Sequence, residues 1–117
     1  MPVEELELRV GADGADGTDV VLHLIGELDL STASRLRSAL HRLYESGTTS
    51  LVLDLSQLGF VDSTGLSEFV AALKHCRERG GDVILRSPTP TATRVLNVSG
   101  LDQVFTIVSG SEAPSAT

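Results

Sequence analysis

Apolar residues recur along the chain at two different spacings, and each spacing predicts a different kind of element. Residues 4–10 alternate, with Leu6, Leu8 and Val10 on one side and charged residues on the other, which is the period of a half-buried strand. Residues 20–28 form an apolar run rich in β-branched side chains and predict a second strand. The segment between them contains three glycines and three aspartates, so we expect a hairpin with a long loop.

Helical spacing appears next, at residues 31–47, where leucines recur three and four positions apart. Ser31 or Thr32 supplies a candidate N-cap for this helix, and Gly47 a C-terminal stop. Residues 51–56 alternate again and predict a strand with one face more buried than the other. The remaining predicted elements are a helix from about Leu66 to Gly80, a strand at 82–86, a helix from the Thr89-Pro90 pair to Gly100, and a strand at 104–108.

This order, β-β-α-β-α-β-α-β, predicts an α/β fold with a mixed, mostly parallel sheet. Strands joined through helices are expected to be parallel with right-handed crossovers, whereas the N-terminal strand is expected to be an antiparallel edge. His23 lies on the same side of its strand as Val21, and Asp54 on the same side as Val52, so these strands have a partly polar face. We therefore expect the helices to lie mainly on one face of the sheet.

Length and composition add limits to this picture. The chain has 117 residues, so we expect one domain over residues 1–117, with an ordered core at about 4–108 and a disordered tail at 109–117. No apolar run approaches the roughly 20 residues that span a bilayer, and the N-terminus does not resemble a secretory signal. The single cysteine, Cys76, fits a reducing compartment, so we expect a cytoplasmic protein.

The charge of the chain excludes several classes of ligand. A formal charge of −7, with no cluster of Lys and Arg, argues against direct binding of nucleic acid or of an anionic membrane. Asp13, Asp16 and Asp19 in the first loop invite a calcium site, but Leu24 stands where an EF-hand loop needs its glutamate. The histidines are scattered without metal-ligand spacing, so we expect no metal and no cofactor.

The most informative polar cluster is Asp62-Ser63-Thr64, which stands directly before the second helix. Any of the three residues is a possible N-cap, and the residues alone leave that structural role open. Gly65 follows in the first helical turn, where glycine costs up to about 1 kcal/mol, which indicates another requirement such as close approach by a partner. The cluster also follows a parallel strand, where open α/β sheets place their recognition sites, so we expect the hydroxyls to be exposed.

Three stretches of the sequence form a recognisable combination: GELDLSTASRL at 26–36, LVLDLSQLGFVDSTGL at 51–66 and VLNVSGLDQVFTIV at 95–108. Together they resemble the STAS domain family, and in particular bacterial anti-sigma factor antagonists. The resemblance implies a single STAS-like domain that binds an anti-sigma factor with serine kinase activity and releases its sigma factor. It also implies that the kinase switches the antagonist off by phosphorylation, and that a phosphatase of the PP2C type restores it.

Carried onto this sequence, the resemblance makes Ser63 the phosphorylated residue and assigns partner contacts to Asp29, Asp62, Ser63, Thr64 and Gly65. Many relatives have a second serine at the position of Thr64. Threonine keeps a hydroxyl, so Thr64 is either a minor phosphate acceptor or a cap, and we favour the cap. The alternative is a STAS domain that acts as a scaffold or a transporter-associated subunit without phosphorylation. Fold alone does not decide between them.

Two enzymatic or phosphorelay hypotheses fit the residues poorly. A hydrolase that used Ser63 as nucleophile needs glycine where Val61 stands, and the only downstream histidine, His75, comes before Asp82 and Asp102. A response regulator phosphorylated on Asp54 needs a lysine near the last strand, whereas the only lysine is Lys74, on the second helix. We therefore expect a protein that catalyses nothing itself.

Overall fold

The computed structural model describes residues 6–12 and 20–109. The acidic loop with Asp13, Asp16 and Asp19, and residues 110–117 of the expected tail, lie outside the described residues. The elements are β1 (Leu6–Ala12), β2 (Val20–Leu28), α1 (Ala33–Glu45), β3 (Leu51–Val61), α2 (Ser63–Arg77), β4 (Val83–Arg86), α3 (Pro90–Ser99) and β5 (Thr106–Val108). No helix in these ranges is both long and apolar enough to cross a membrane.

The five strands form one sheet in the order β1-β2-β3-β4-β5. β1 pairs antiparallel with β2, and every other neighbouring pair is parallel. The predicted mixed sheet with an antiparallel N-terminal edge is therefore confirmed. Because β2, β3, β4 and β5 run parallel, their carboxyl ends lie at the same edge of the sheet.

The core lies on one face of the sheet, where the buried side chains of all three helices join a single cluster. Leu22, Leu53 and Leu85 contribute from adjacent strands, and Phe69 and Leu96 from α2 and α3. The expected placement of the helices mainly on one face is confirmed. The other face carries a row of polar side chains, in which His23 pairs with Asp54 across β2 and β3, and Asp54 pairs with Arg86 across β3 and β4.

The ends of the third helix are as the sequence predicts. Thr89 is the N-cap of α3 and accepts a hydrogen bond from Ala92 N–H (3.2 Å), with Pro90 as the first helical residue. Gly100 ends the helix at φ 80°, a left-handed conformation that glycine adopts without strain. The Thr89 hydroxyl also donates to Leu58 O (2.9 Å), which ties the start of α3 to β3.

The third strand is longer than predicted. The alternation predicts a strand at 51–56 followed by a loop, whereas β3 continues to Val61. The pairing of β3 with β2 shifts register twice in this part. The buried residues Leu55, Leu58 and Val61 are therefore three positions apart, and the alternation typical of a strand is absent from this part of the sequence. The extension matters for the site because it brings β3 directly to the first residue before α2.

The last strand is shorter than predicted, at Thr106–Val108 instead of 104–108. A 3₁₀ turn at Leu101–Gln103 occupies the preceding residues, and Val104 and Phe105 both donate their N–H groups to Leu101 O. Phe105 is thereby turned into the core, with 5% of its surface exposed. Its burial, and not strand pairing, accounts for the apolar residue at this position.

Candidate functional site

The site lies where β2 and β3 end side by side. Leu28 and Val61, the last residues of the two strands, are paired in register, and Asp62 N–H donates to Leu28 O (3.2 Å). The structure therefore brings the turn that begins at Asp29 next to the segment that begins at Asp62. These two segments lie 33 residues apart in the sequence, from Asp29 to Asp62.

Asp62 is the N-cap of α2. Its backbone is extended, its Oδ1 accepts a hydrogen bond from Gly65 N–H (3.0 Å), and its carbonyl accepts from Leu66 N–H (3.0 Å). The interpretation of Thr64 as the cap is therefore wrong, because Thr64 is already the second residue of the helix. A cap of this kind stabilises a helix by about 1 kcal/mol.

Ser63 is the first residue of α2, and its side chain is exposed, as expected. Within the described ranges no residue forms a hydrogen bond with its hydroxyl, since Asp62 performs the capping. Its carbonyl accepts from the Ser67 hydroxyl (3.0 Å), one turn further along the same exposed side of the helix. The Ser63 hydroxyl is therefore open to a reactant that approaches from solvent.

Gly65 is buried, and its lack of a side chain has an explanation within the fold. A β-carbon at this position would lie 2.6 Å from Leu28 Cγ, 2.8 Å from Leu28 Cδ2 and 2.9 Å from Val61 Cγ2. Carbon atoms do not approach each other this closely. The close approach that the sequence indicated is thus made by the ends of β2 and β3, which accounts for this glycine without a partner. Contact between Gly65 and a partner stays a prediction.

Asp29 begins a hydrogen-bonded turn. Its Oδ1 accepts from Ser31 N–H (2.9 Å) and from the Ser31 hydroxyl (2.7 Å), and its carbonyl accepts from Thr32 N–H (3.1 Å) and Ala33 N–H (2.8 Å). The hydrogen bond from the Ser31 hydroxyl is the main cause that lowers the pKa of Asp29, so this carboxylate is charged at neutral pH.

Thr32 occupies the N-cap position of α1, but its hydroxyl does not cap the helix. It donates to Glu27 O (2.8 Å) and accepts from Asp29 N–H (3.0 Å) instead, and the residue is 4% exposed. The hydroxyl thus joins the end of β2 to the turn. The sequence identified Thr32 as a capping residue and gave no sign of this clamping role.

Asp54, the acid of the response-regulator hypothesis, is held inside an ion pair. Its Oδ2 accepts from Arg86 Nε (2.9 Å), its Oδ1 accepts from the Ser56 hydroxyl (2.6 Å), and only 8% of the residue is exposed. Burial raises the pKa of Asp54, but the hydrogen bonds from Ser56 and Arg86 outweigh it and lower the pKa overall. Asp54 also lies in the middle of β3, seven residues before its end, so it is poorly placed to accept a phosphoryl group.

A second group of polar side chains lies between α1 and α2, in a groove of about 290 Å³. Tyr44 stacks on His75 with ring centres 3.6 Å apart, and Arg37 Nε donates to Glu68 Oε2 (3.1 Å). Burial raises the pKa of Tyr44 to about 12 and lowers the pKa of His75. These contacts join the two helices. Over the ranges that the structure describes, no three His, Cys, Asp or Glu residues converge as metal ligands.

Comparison with known proteins identifies the kind of domain to which this site belongs. The family model described as the STAS domain matches residues 10–113. An anti-sigma-B factor antagonist of Bacillus subtilis is 32% identical over 94 residues, which are 80% of this chain and 85% of that protein. An anti-sigma F factor antagonist of Lysinibacillus sphaericus is also 32% identical, over 70% of this chain and 71% of that one.

Solved structures show the same architecture. A crystal structure described as an anti-sigma factor antagonist from Mycobacterium paratuberculosis superposes with a TM-score of 0.76 at 26% identity, over 88% of this chain and 85% of that one. A structure of the Bacillus cell fate determinant SpoIIAA, in its phosphorylated form, has a TM-score of 0.69 at 23% identity, over 91% of this chain and 93% of that one. At that identity the second likeness shows the fold alone.

Proposed function

This chain belongs to the STAS domain family, and on that premise we propose that it is an anti-sigma factor antagonist controlled by phosphorylation of Ser63. It acts by binding and is not an enzyme, as the names of its relatives indicate. The partner in this proposal is an anti-sigma factor with serine kinase activity, which releases its sigma factor when the antagonist binds. A PP2C-type phosphatase returns Ser63 to its active state.

The observation that carries this proposal is the state of the Ser63 hydroxyl. A kinase acceptor must reach the γ-phosphate in line with the leaving group, so it must be exposed and not held by the fold. Ser63 meets both conditions, because Asp62 caps the helix in its place. Thr64 is half-buried, which makes it the less accessible of the two hydroxyls.

The fold tolerates a phosphate at this position. The first N–H groups of a helix have no acceptor within the helix, and Asp62 satisfies only that of Gly65 among the first three. The N–H groups of Ser63 and Thr64 are therefore available to a phosphate on Ser63, and the helix dipole favours a negative charge there. Phosphorylation should leave the free energy of unfolding nearly unchanged.

The same phosphate weakens binding through its charge. It adds about −1.5 to −2 charges at pH 7 beside the carboxylates of Asp62 and Asp29, at the surface that the kinase must cover to reach Ser63. A kinase that covers this surface has to remove water from the phosphate, and an unpaired charge buried in an interface costs several kcal/mol. The phosphorylated chain should therefore dissociate from the kinase while remaining folded.

Phosphate mapping tests the site. The chain is incubated with ATP and the purified anti-sigma serine kinase of the same organism, and the modified peptide is sequenced by mass spectrometry. We expect one phosphate, on Ser63, and none on the Ser63→Ala variant, whereas Ser67→Ala should be modified normally. Phosphate on another residue would overturn the assignment of Ser63.

Charge variants test the switch separately. Ser63→Ala should bind the kinase as tightly as the natural chain, and Ser63→Asp should bind less tightly, although one charge imitates a phosphate only in part. Ser67→Asp places the same charge one turn along the exposed side of α2 and serves as the control. Equal affinities of the two Ser63 variants would favour a STAS domain that works without phosphorylation.

A further inference from the structure

Leu30 is the one leucine, in the ranges that the structure describes, whose side chain is exposed. Water reaches 79% of its surface. A single exposed apolar residue is common on protein surfaces and needs no explanation by itself. Leu30 is unusual because of how its turn is held and because of which residues surround it.

The turn that carries Leu30 is fixed before any partner arrives. Leu30 follows Asp29, whose carbonyl accepts from Thr32 N–H and Ala33 N–H and whose carboxylate accepts twice from Ser31. These hydrogen bonds join the residue before Leu30 to the residues after it, so they fix the backbone of the turn and leave the Leu30 side chain exposed. A protein that covers Leu30 therefore does not have to order the loop, which is one of the main costs of binding.

Leu30 also lies close enough to Ser63 to share one interface with it. The hydrogen bond from Asp62 N–H to Leu28 O fixes the two segments against each other. Leu30 lies two residues after Leu28, and Ser63 lies one residue after Asp62. Even fully extended chain over those residues places the two α-carbons within about 18 Å. A standard interface buries about 800 Å² on each partner and is thus about 30 Å across.

We propose that Leu30 is an apolar anchor of the surface that receives the anti-sigma serine kinase, and that it inserts into an apolar pocket beside the kinase's phosphoryl-transfer site. The inference rests on the function proposed above. Among the large apolar residues on the elements that meet at Ser63, Leu30 is the most exposed, at 79% against 42% for Phe60 on β3 and 39% for Val70 on α2, whereas Val98 lies away on α3. Leu30 gives affinity through the area it buries and takes no part in the transfer itself.

Truncation of Leu30, with Val98 as the matched control, tests the anchor. Both side chains are exposed, at 79% and 84%, so neither Leu30→Ala nor Val98→Ala should shift the midpoint of urea unfolding by more than a small amount. The probe is the purified anti-sigma serine kinase of the same organism, titrated without ATP so that no phosphate is transferred. Leu30→Ala should raise the Kd about tenfold, and Val98→Ala should leave it within about twofold.

A kinetic measurement distinguishes an anchor from a residue that positions the hydroxyl. With ATP present, Leu30→Ala should raise the KM of the kinase for this chain and leave kcat within about twofold, because the hydroxyl and its surroundings are unchanged. A fall in kcat at unchanged KM would overturn the anchor.

The outcomes separate this inference from the proposed function. If the natural chain binds and is phosphorylated on Ser63 but Leu30→Ala binds as tightly, the anchor is wrong and the proposed function stands. If the natural chain does not bind such a kinase at all, the proposed function fails and the anchor fails with it. A Leu30→Ala variant that loses only self-association, seen by sedimentation, would show that a second copy of the chain covers Leu30, which also overturns the proposal.

Discussion

Gly65→Ala is the substitution for which the structure gives the most definite expectation. The new methyl group would stand 2.6 and 2.8 Å from two carbons of Leu28 and 2.9 Å from Val61 Cγ2, at a position that is itself buried. Leu28 has no exposed surface, so its side chain has no open direction in which to move. Either α2 shifts away from the strand ends or Leu28 leaves its rotamer.

The magnitude follows from two opposing effects. Overpacking a buried site costs about 1 to 3 kcal/mol, and three contacts below 3 Å place this one near the upper end. The higher helix propensity of alanine relative to glycine offsets at most about 1 kcal/mol of this cost. The net loss is therefore about 2 kcal/mol, or a fall of roughly 8 °C in Tm at about 4 °C per kcal/mol for a chain of this size.

Urea unfolding followed by circular dichroism measures this loss, and Gly59→Ala is the control. A β-carbon at Gly59 would meet only Gly26 O, at 3.7 Å, which is ordinary contact, so that variant should unfold close to the natural chain. The Gly65→Ala penalty should also shrink in a Leu28→Ala background, where two of the three close carbons are gone. A Gly65→Ala variant as stable as the natural chain would refute the packing explanation for this glycine.

Three further predictions concern stability and pH. Asp62→Ala should lower the free energy of unfolding by about 1 kcal/mol because the cap of α2 is lost, whereas Asp62→Asn, which keeps an acceptor oxygen, should lose less in the same urea assay. Arg86→Met should cost about 3 kcal/mol at neutral pH because it leaves the buried Asp54 carboxylate without the guanidinium of Arg86, and the cost should shrink in acid, where protonation removes the charge of Asp54. In the natural chain the pKa of Asp54 is lowered by folding, so the free energy of unfolding also falls in acid. The stability that this carboxylate contributes is present above about pH 4 and is lost as the pH falls further. Tyr44 affects stability at alkaline pH. Its pKa in the folded chain is about 12, above the usual value of about 10, so its contribution to the free energy of unfolding is complete below pH 10 and declines toward pH 12. Tyr44→Phe should remove that part of the decline, and because the chain has one tyrosine, the absorbance of the tyrosinate reports its titration directly.

Local sequence signals were sufficient for the elements that have strong ends. The Thr89-Pro90 pair and Gly100 define α3 because capping and left-handed backbone depend on the residues at those positions. The period of two failed in β3, where the pairing with β2 shifts register and separates the buried residues by three. Such a shift depends on the neighbouring strand, so the segment itself does not reveal it.

At the site, the sequence located the important residues but not the reasons for all of them. Asp62, Ser63 and Thr64 are each able to cap a helix, and only the backbone path assigns the cap to Asp62. Gly65 stood out by its cost in a helix, but the atoms that require it belong to Leu28 and Val61, which tertiary packing brings there. The exposure of Leu30 was equally hidden, because it results from the turn and not from the composition of the segment.

The most direct test of the account compares the affinity of the chain for its anti-sigma serine kinase before and after phosphorylation. The two forms are separated after treatment with kinase and ATP, checked for equal stability in urea, and titrated calorimetrically without ATP. We predict that phosphate on Ser63 raises the Kd at least a hundredfold, as a cost of several kcal/mol for covering an unpaired phosphate requires, and that a PP2C-type phosphatase restores the original value. Equal affinity of the two forms would contradict the claim that Ser63 controls the interface.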